Sequence, residues 1–97
     1  MAKTAQNIIT IKINDKEVQS KPFDFETYRL INNLHCQGYA GAATLCYNAL
    51  VRMFEGTAAT AEYIETLPIA DKAVLCDKVF DIYVNNVKEI NERLKNE

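Results

Sequence analysis

The chain has 97 residues and a mass of 11.0 kDa, the size of one small domain with a modest core. Apolar residues make up 48% and charged residues 25%, which excludes the disordered, collagen-like and low-complexity classes. A formal net charge of −2 excludes a broad field that would draw the chain to nucleic acid or anionic lipid. In chain order, Ile9, Ile11 and Ile13 first alternate with Thr10 and Lys12, the period-two pattern of a half-buried strand. Asn14-Asp15-Lys16 is turn chemistry, and Glu17 to Ser20 resumes the alternation with one apolar residue, Val18. The pattern predicts a β-hairpin over 7–21 whose second strand is an edge, stopped by Pro22. A lone hairpin is marginal in water, so its isoleucine face must pack on the helical part of the chain.

Four helices are predicted next. Asp24 is an N-cap for a helix over 24–37, with Glu26 in the first turn, Tyr28, Ile31, Leu34 and His35 at helical spacing, and Gly38 as the stop. Over 41–55, Ala42, Leu45, Cys46, Ala49, Leu50, Met53 and Phe54 keep steps of three and four without a miss, and Gly56 closes the helix. Thr57 caps a short helix over 58–67 with Ala61, Ile64 and Leu67, and Pro68 opens a long one over 69–95. In that last helix Ile69, Ala73, Cys76, Phe80, Tyr83, Val87, Ile90 and Leu94 form a heptad seam, beside a shorter stripe of Leu75, Val79 and Ile82 that fails at Asn86. The expected fold is α+β and predominantly helical: one domain over 1–97, an N-terminal hairpin, then three to four helices, the last one long. Its core is expected from Ile9, Ile11, Leu34, Leu45, Leu50, Phe54, Ile64, Leu75, Val79 and Phe80.

The 22 residues from Leu30 to Val51 carry no charge. Asn32, Asn33, His35, Gln37, Thr44, Asn48 and two glycines keep this stretch from being a membrane span, so it reads as a helix hidden by its own domain or by a partner. Cys36, Cys46 and Cys76 form no CxxC, and each falls on an apolar stripe, which predicts buried thiols in a reducing cytoplasm and no metal site. Met1 to Thr10 shows no signal-peptide pattern. His35 and Cys36 are neighbours on a helix and point about 100° apart, too far for a catalytic dyad. Glu62 with Glu65 and Asp77 with Asp81 are helical carboxylate pairs without a third ligand. Gly38-Tyr39-Ala40-Gly41 lacks the lysine and the preceding buried strand of a phosphate loop. Met53 to Asp71 holds acids and no lysine or arginine beyond Arg52, which argues against a DNA-reading helix there. The residues therefore point to a protein that is not an enzyme and needs no cofactor.

A short hairpin with an Asn-Asp-Lys turn leads into Phe23-Asp24-Phe25 and a helix with Leu30, Ile31 and Leu34. An alanine-rich helix then closes as Asn48-Ala-Leu-Val-Arg-Met-Phe-Glu-Gly-Thr57, followed by a short acidic helix with Ala61, Glu62 and Ile64. This order resembles the tail assembly chaperones of long-tailed phages and of the prophages derived from them. The resemblance implies a non-enzymatic role in the host bacterial cytoplasm, binding the tape measure protein and recruiting tail tube subunits, with no catalytic, metal or cofactor residues. The alternative is a small helical adaptor or regulatory protein of a mobile element, acting through dimerisation. The candidate partner-binding residues are Tyr47 and Val51, off the main stripe of the uncharged helix, and Tyr83, Val87, Ile90 and Leu94, where the seam outlasts its flanking stripe. A homo-oligomer is expected, a dimer through the last helix that charges at Val87 and Ile90 would dissociate.

Overall fold

Two short polar residues set the turn of the hairpin. Asn14 and Asp15 both take positive φ, 50° and 66°, the geometry of a type I′ turn that matches the twist of paired strands. The turn joins β1 (Thr10–Ile13) to β2 (Lys16–Gln19) in antiparallel register, with Ile13 opposite Lys16 and Ile11 opposite Val18. In this computed structural model, residues 7–96 are described. The pairing continues past the strands: Ser20 N–H donates to Ile9 O at 2.8 Å, while Ile9 N–H donates to the buried Ser20 hydroxyl at 2.9 Å. Lys21 N–H donates to Met53 O at 2.8 Å, so the hairpin satisfies one of the last carbonyls of a helix far along the chain.

Helix α1 (Phe25–Cys36) starts where Asp24, in extended backbone, accepts the Thr27 N–H at 2.9 Å and the Thr27 hydroxyl at 2.7 Å. It ends in a Schellman motif: Gly38, at φ 97°, donates to His35 O, and Tyr39 donates to Leu34 O. The turn at 37–41 cuts the uncharged stretch in two, and no helix among the described residues is long and apolar enough to cross a membrane. Helix α2 (Ala42–Met53) buries Leu45, Cys46, Ala49, Leu50 and Met53. It is the centre of the fold, with α1 packed on one side and α4 (Ile69–Lys95) along another. The isoleucine face of β1, the loop residue Phe23, Phe54, Ala59 and Ile64 close the rest of the core.

Helix α3 (Ala61–Glu65) is shorter than its pattern suggests, and its N-cap is Thr60 rather than Thr57. Thr57 is occupied otherwise: its hydroxyl donates to Phe54 O at 2.6 Å and accepts the Ala59 N–H at 3.1 Å, which ends α2 and delays α3. The predicted α4 agrees with the observed helix at both ends. Its buried residues are Leu75, Cys76, Val79, Ile82 and Tyr83, so the core stripe merges the shorter pattern with only two members of the heptad seam. Eight of the ten expected core residues are buried, while Leu34 and Phe80 lie half-buried against the core. Cys36 is exposed, a correction to the expectation of three buried thiols. It lies about 180° around α1 from Thr27, which faces the core, so the helix turns it to solvent.

Truncation of Leu45 to alanine removes a side chain that is 3% exposed and should cost about 2–5 kcal/mol in denaturant unfolding. The same change at half-buried Phe80 should cost less than at Leu45. The hydroxyl and N–H of Thr27, helped by Arg52, hold the Asp24 carboxyl below its usual value. Its contribution is complete above the ordinary carboxylate pKa and lost as pH falls through its own lower one. Asp24→Ala should therefore lower stability by about 1 kcal/mol at neutral pH. In acid unfolding titrations, the gap from the wild type should narrow as Asp24 protonates.

Candidate functional site

Four aromatic rings run from the core to the surface. Phe80 lies 6.2 Å from Tyr83, Tyr83 lies 5.6 Å from Tyr28, and Tyr28 stacks on Phe25 at 5.8 Å between centroids. The middle of the series is anchored, because Tyr83 is buried and its hydroxyl donates to Asn32 Oδ1 at 3.1 Å, joining α4 to α1. Burial raises the Tyr83 phenol above its ordinary pKa and keeps it a neutral donor. The outer end is free: Phe25 stands at the first turn of α1, opposite the face that carries Thr27, and is 73% exposed.

Beside Phe25 the far part of α4 leaves the core. Asn86 sits where the next apolar residue of the core stripe would stand, and its side-chain amide donates to Ile82 O at 2.8 Å instead of packing. The gap opens a groove of about 330 Å³ between α1 and α4, lined by Phe23, Phe25, Tyr28 and Ile90 with Asp24, Asn86, Glu89 and Arg93 around them. Its charges are matched: Glu89 pairs with Arg93 at 2.9 Å, and Asp24 with Arg52 at 3.4 Å. The groove therefore offers an aromatic and aliphatic surface with a neutralised charged rim, suited to an apolar side chain on a protein segment.

The six predicted partner-binding residues divide. Ile90, 38% exposed, lines the groove, and Leu94, 65% exposed, lies one turn further on. Tyr83 belongs to the core, and Val87 packs against it, so these two seam residues make an internal contact. Tyr47 and Val51 also pack against the core and do not line the groove. The Tyr47 hydroxyl donates to Glu65 Oε1 at 2.6 Å, and this bond, with burial, pushes the phenol up to about 12. Lys72 reaches the same glutamate, donating to its carbonyl at 3.0 Å, so Glu65 ties α2, α3 and α4 together. Phe25 and Tyr28 are the groove residues that sequence reasoning missed. An aromatic in a first turn, on the face away from Ile31, was the available signal.

His35 and Cys36 are both exposed at the end of α1. Burial pushes the Cys46 thiol up to about 12 and raises Cys76 as well, so both stay protonated at neutral pH. No group of three or more His, Cys, Asp or Glu side chains among the described residues could hold a metal ion. Compared with protein-family models, with curated proteins and with solved structures, the chain matches none.

The thiols should report this geometry. In native buffer a disulfide-exchange reagent should titrate one thiol quickly, Cys36, and all three only after unfolding. Rapid reaction of Cys46 or Cys76 in the folded protein would contradict the packing between α2 and α4.

Proposed function

We propose that the protein is a non-enzymatic tail assembly chaperone of a phage or prophage. In this reading it works in the bacterial cytoplasm, holding apolar helical stretches of a tape measure protein and bringing tail tube subunits to them. The observation that carries the reading is the open groove between α1 and α4, where Phe25, Tyr28 and Ile90 present apolar surface that the small core leaves uncovered. An exposed patch of this kind marks an interaction surface, and a groove between helices takes an amphipathic helix through anchors at i, i+3, i+4 and i+7. The resemblance in element order supplies the class of client. The rim supports it too, since self-paired charges impose little preference and a solubilising chaperone must accept many apolar segments of one long helix. Self-association is part of the same reading, and the adaptor alternative would use it without a client.

Co-expression with a tape measure protein and pull-down is the direct test. The wild type should retain the client. Phe25→Ala combined with Ile90→Asp should reduce capture by about thirty-fold, the effect of losing a central anchor. Ile69→Asp, at an exposed residue outside the groove, should leave capture unchanged and serves as the control. A folded double variant that captures as well as the wild type would remove the groove from the proposal. A wild type that dimerises but never captures the client would favour the adaptor.

A further inference from the structure

Among the described residues the sheet has two strands, and none of them pairs with the side of β1 away from β2. The two-residue turn makes Ile13–Lys16 a hydrogen-bonded pair, so Ile11–Val18 is one as well, and the N–H and C=O groups of Thr10 and Lys12 point outward. Among the described residues, no backbone hydrogen bond from this edge reaches another element. Two shallow grooves of about 240 and 380 Å³ follow the edge, and their other wall is one stripe of α4: Asp71, Val74, Lys78, Asp81 and Asn85. Val74, between Asp71 and Lys78, is 53% exposed, and neither of those two residues takes part in any ion pair among the described residues.

We propose that this face binds a second copy of the chain, edge to edge through β1 and stripe to stripe through α4, about a two-fold axis at Ile11. It rests on the self-association in the reading above and not on the identity of the client, and it moves the contact from the Val87 and Ile90 seam expected from the sequence to the Val74 side of α4. Charge selects both the occupant and the register. An axis at Lys12 would set two lysines directly opposite, an unfavourable pair. An axis at Thr10, which lies between Val74 and Lys78, would set Asp71 of each copy against Asp81 of the other, an unfavourable acid pair. An axis at Ile11 sets Lys12 against Thr10 and Ile9 against Ile13, and joins the two isoleucine faces into one. Ile11 shares its groove with Asp71, Val74 and Leu75, so the same axis crosses α4 near Val74 and Leu75. Asp71 and Lys78 lie at equal distances along the helix on either side of that point. Asp71 of each copy then faces Lys78 of the other, around a contact between the two Val74 side chains. The result is a four-stranded sheet in the order β2-β1-β1-β2, with no open β1 edge left to pair elsewhere.

Sedimentation velocity of the full chain over a concentration series, with far-UV circular dichroism to check folding, tests this. The wild type should show a reversible monomer–dimer equilibrium. Asp71→Lys and Lys78→Asp each set like charges together twice per dimer and should each raise the dissociation constant about ten-fold or more. The double swap should return it to near the wild-type value, a rescue that loss of helix stability would not give. Thr10→Pro removes an outward N–H at a position where an edge strand tolerates proline, so the monomer should fold and the dimer should weaken. Ile90→Asp should leave the dimer intact, which separates this contact from the client groove. A wild type that remains monomeric, a swap that fails to rescue, or a dimer lost through Ile90→Asp and kept in Thr10→Pro would each overturn the proposal.

Discussion

The burial of α2 is the constraint on which the other elements depend. From Ala42 to Val51 the helix has no charged side chain, and Leu45, Cys46, Ala49, Leu50 and Met53 face inward over three turns. One neighbour cannot cover so wide a stripe, so α1 takes one side and α4 another. Each ~100 Å² of apolar surface removed from water is worth about 2.5 kcal/mol, so this contact outweighs any single cap or ion pair in the molecule. The polar links are secondary to it. Arg52, at the end of α2, reaches Asp24 and the Thr27 hydroxyl at the start of α1, and Met53 O receives the hairpin's Lys21 N–H. They align elements that the apolar contact already holds together.

Much of this was legible because α2 and α4 are long, with strong periodicity and clear stops. Asp24 and Gly38 bound α1 through local chemistry, which a sequence displays directly. Thr57 and Thr60 show where local chemistry becomes ambiguous. Both precede α3 and both have a hydroxyl that can cap, and the choice is made by Thr57 bonding backward to Phe54 O. Cys36 failed for a different reason. Neighbouring apolar residues assigned it to a stripe, while the buried face of α1 is set by Thr27 and Ile31 against α2.

The candidate surface was half legible. In one dimension a seam of apolar residues looks the same whether it meets its own domain or a partner, so Tyr83 and Ile90 carried the same signal. The structure separates them by what lies opposite: α1, with Asn32 and Tyr28, covers Tyr83, and solvent meets Ile90. Asn86 marks the transition, and its failure to continue the stripe was visible in the sequence as the end of a pattern. Its effect, a groove floored by Tyr28 and walled by Phe25, needs the crossing of two helices and cannot be read from either one.

The same helix therefore meets three environments around its circumference. One face, centred on Val79, is committed to the core. The flank bearing Phe80 runs beside the aromatic series, and the flank bearing Val74 and Lys78 runs beside the edge of β1 that no described strand pairs. Ile90 continues the core face past Asn86, where the groove replaces the core. At this size, roughly a third of the surface exposed by the unfolded chain stays in contact with water. A helix of 27 residues is about 40 Å long, against a longest molecular extent of 48 Å, so the other elements are too short to cover it on every side. Uncovered apolar residues on α4 result from that geometry rather than from poor packing. Val74 and Ile90 lie on nearly opposite sides of α4, one beside a strand edge that no described strand pairs and the other in an aromatic groove. On the two proposals above, that separation would let a second copy and a client occupy the protein together without competing for the same side chains.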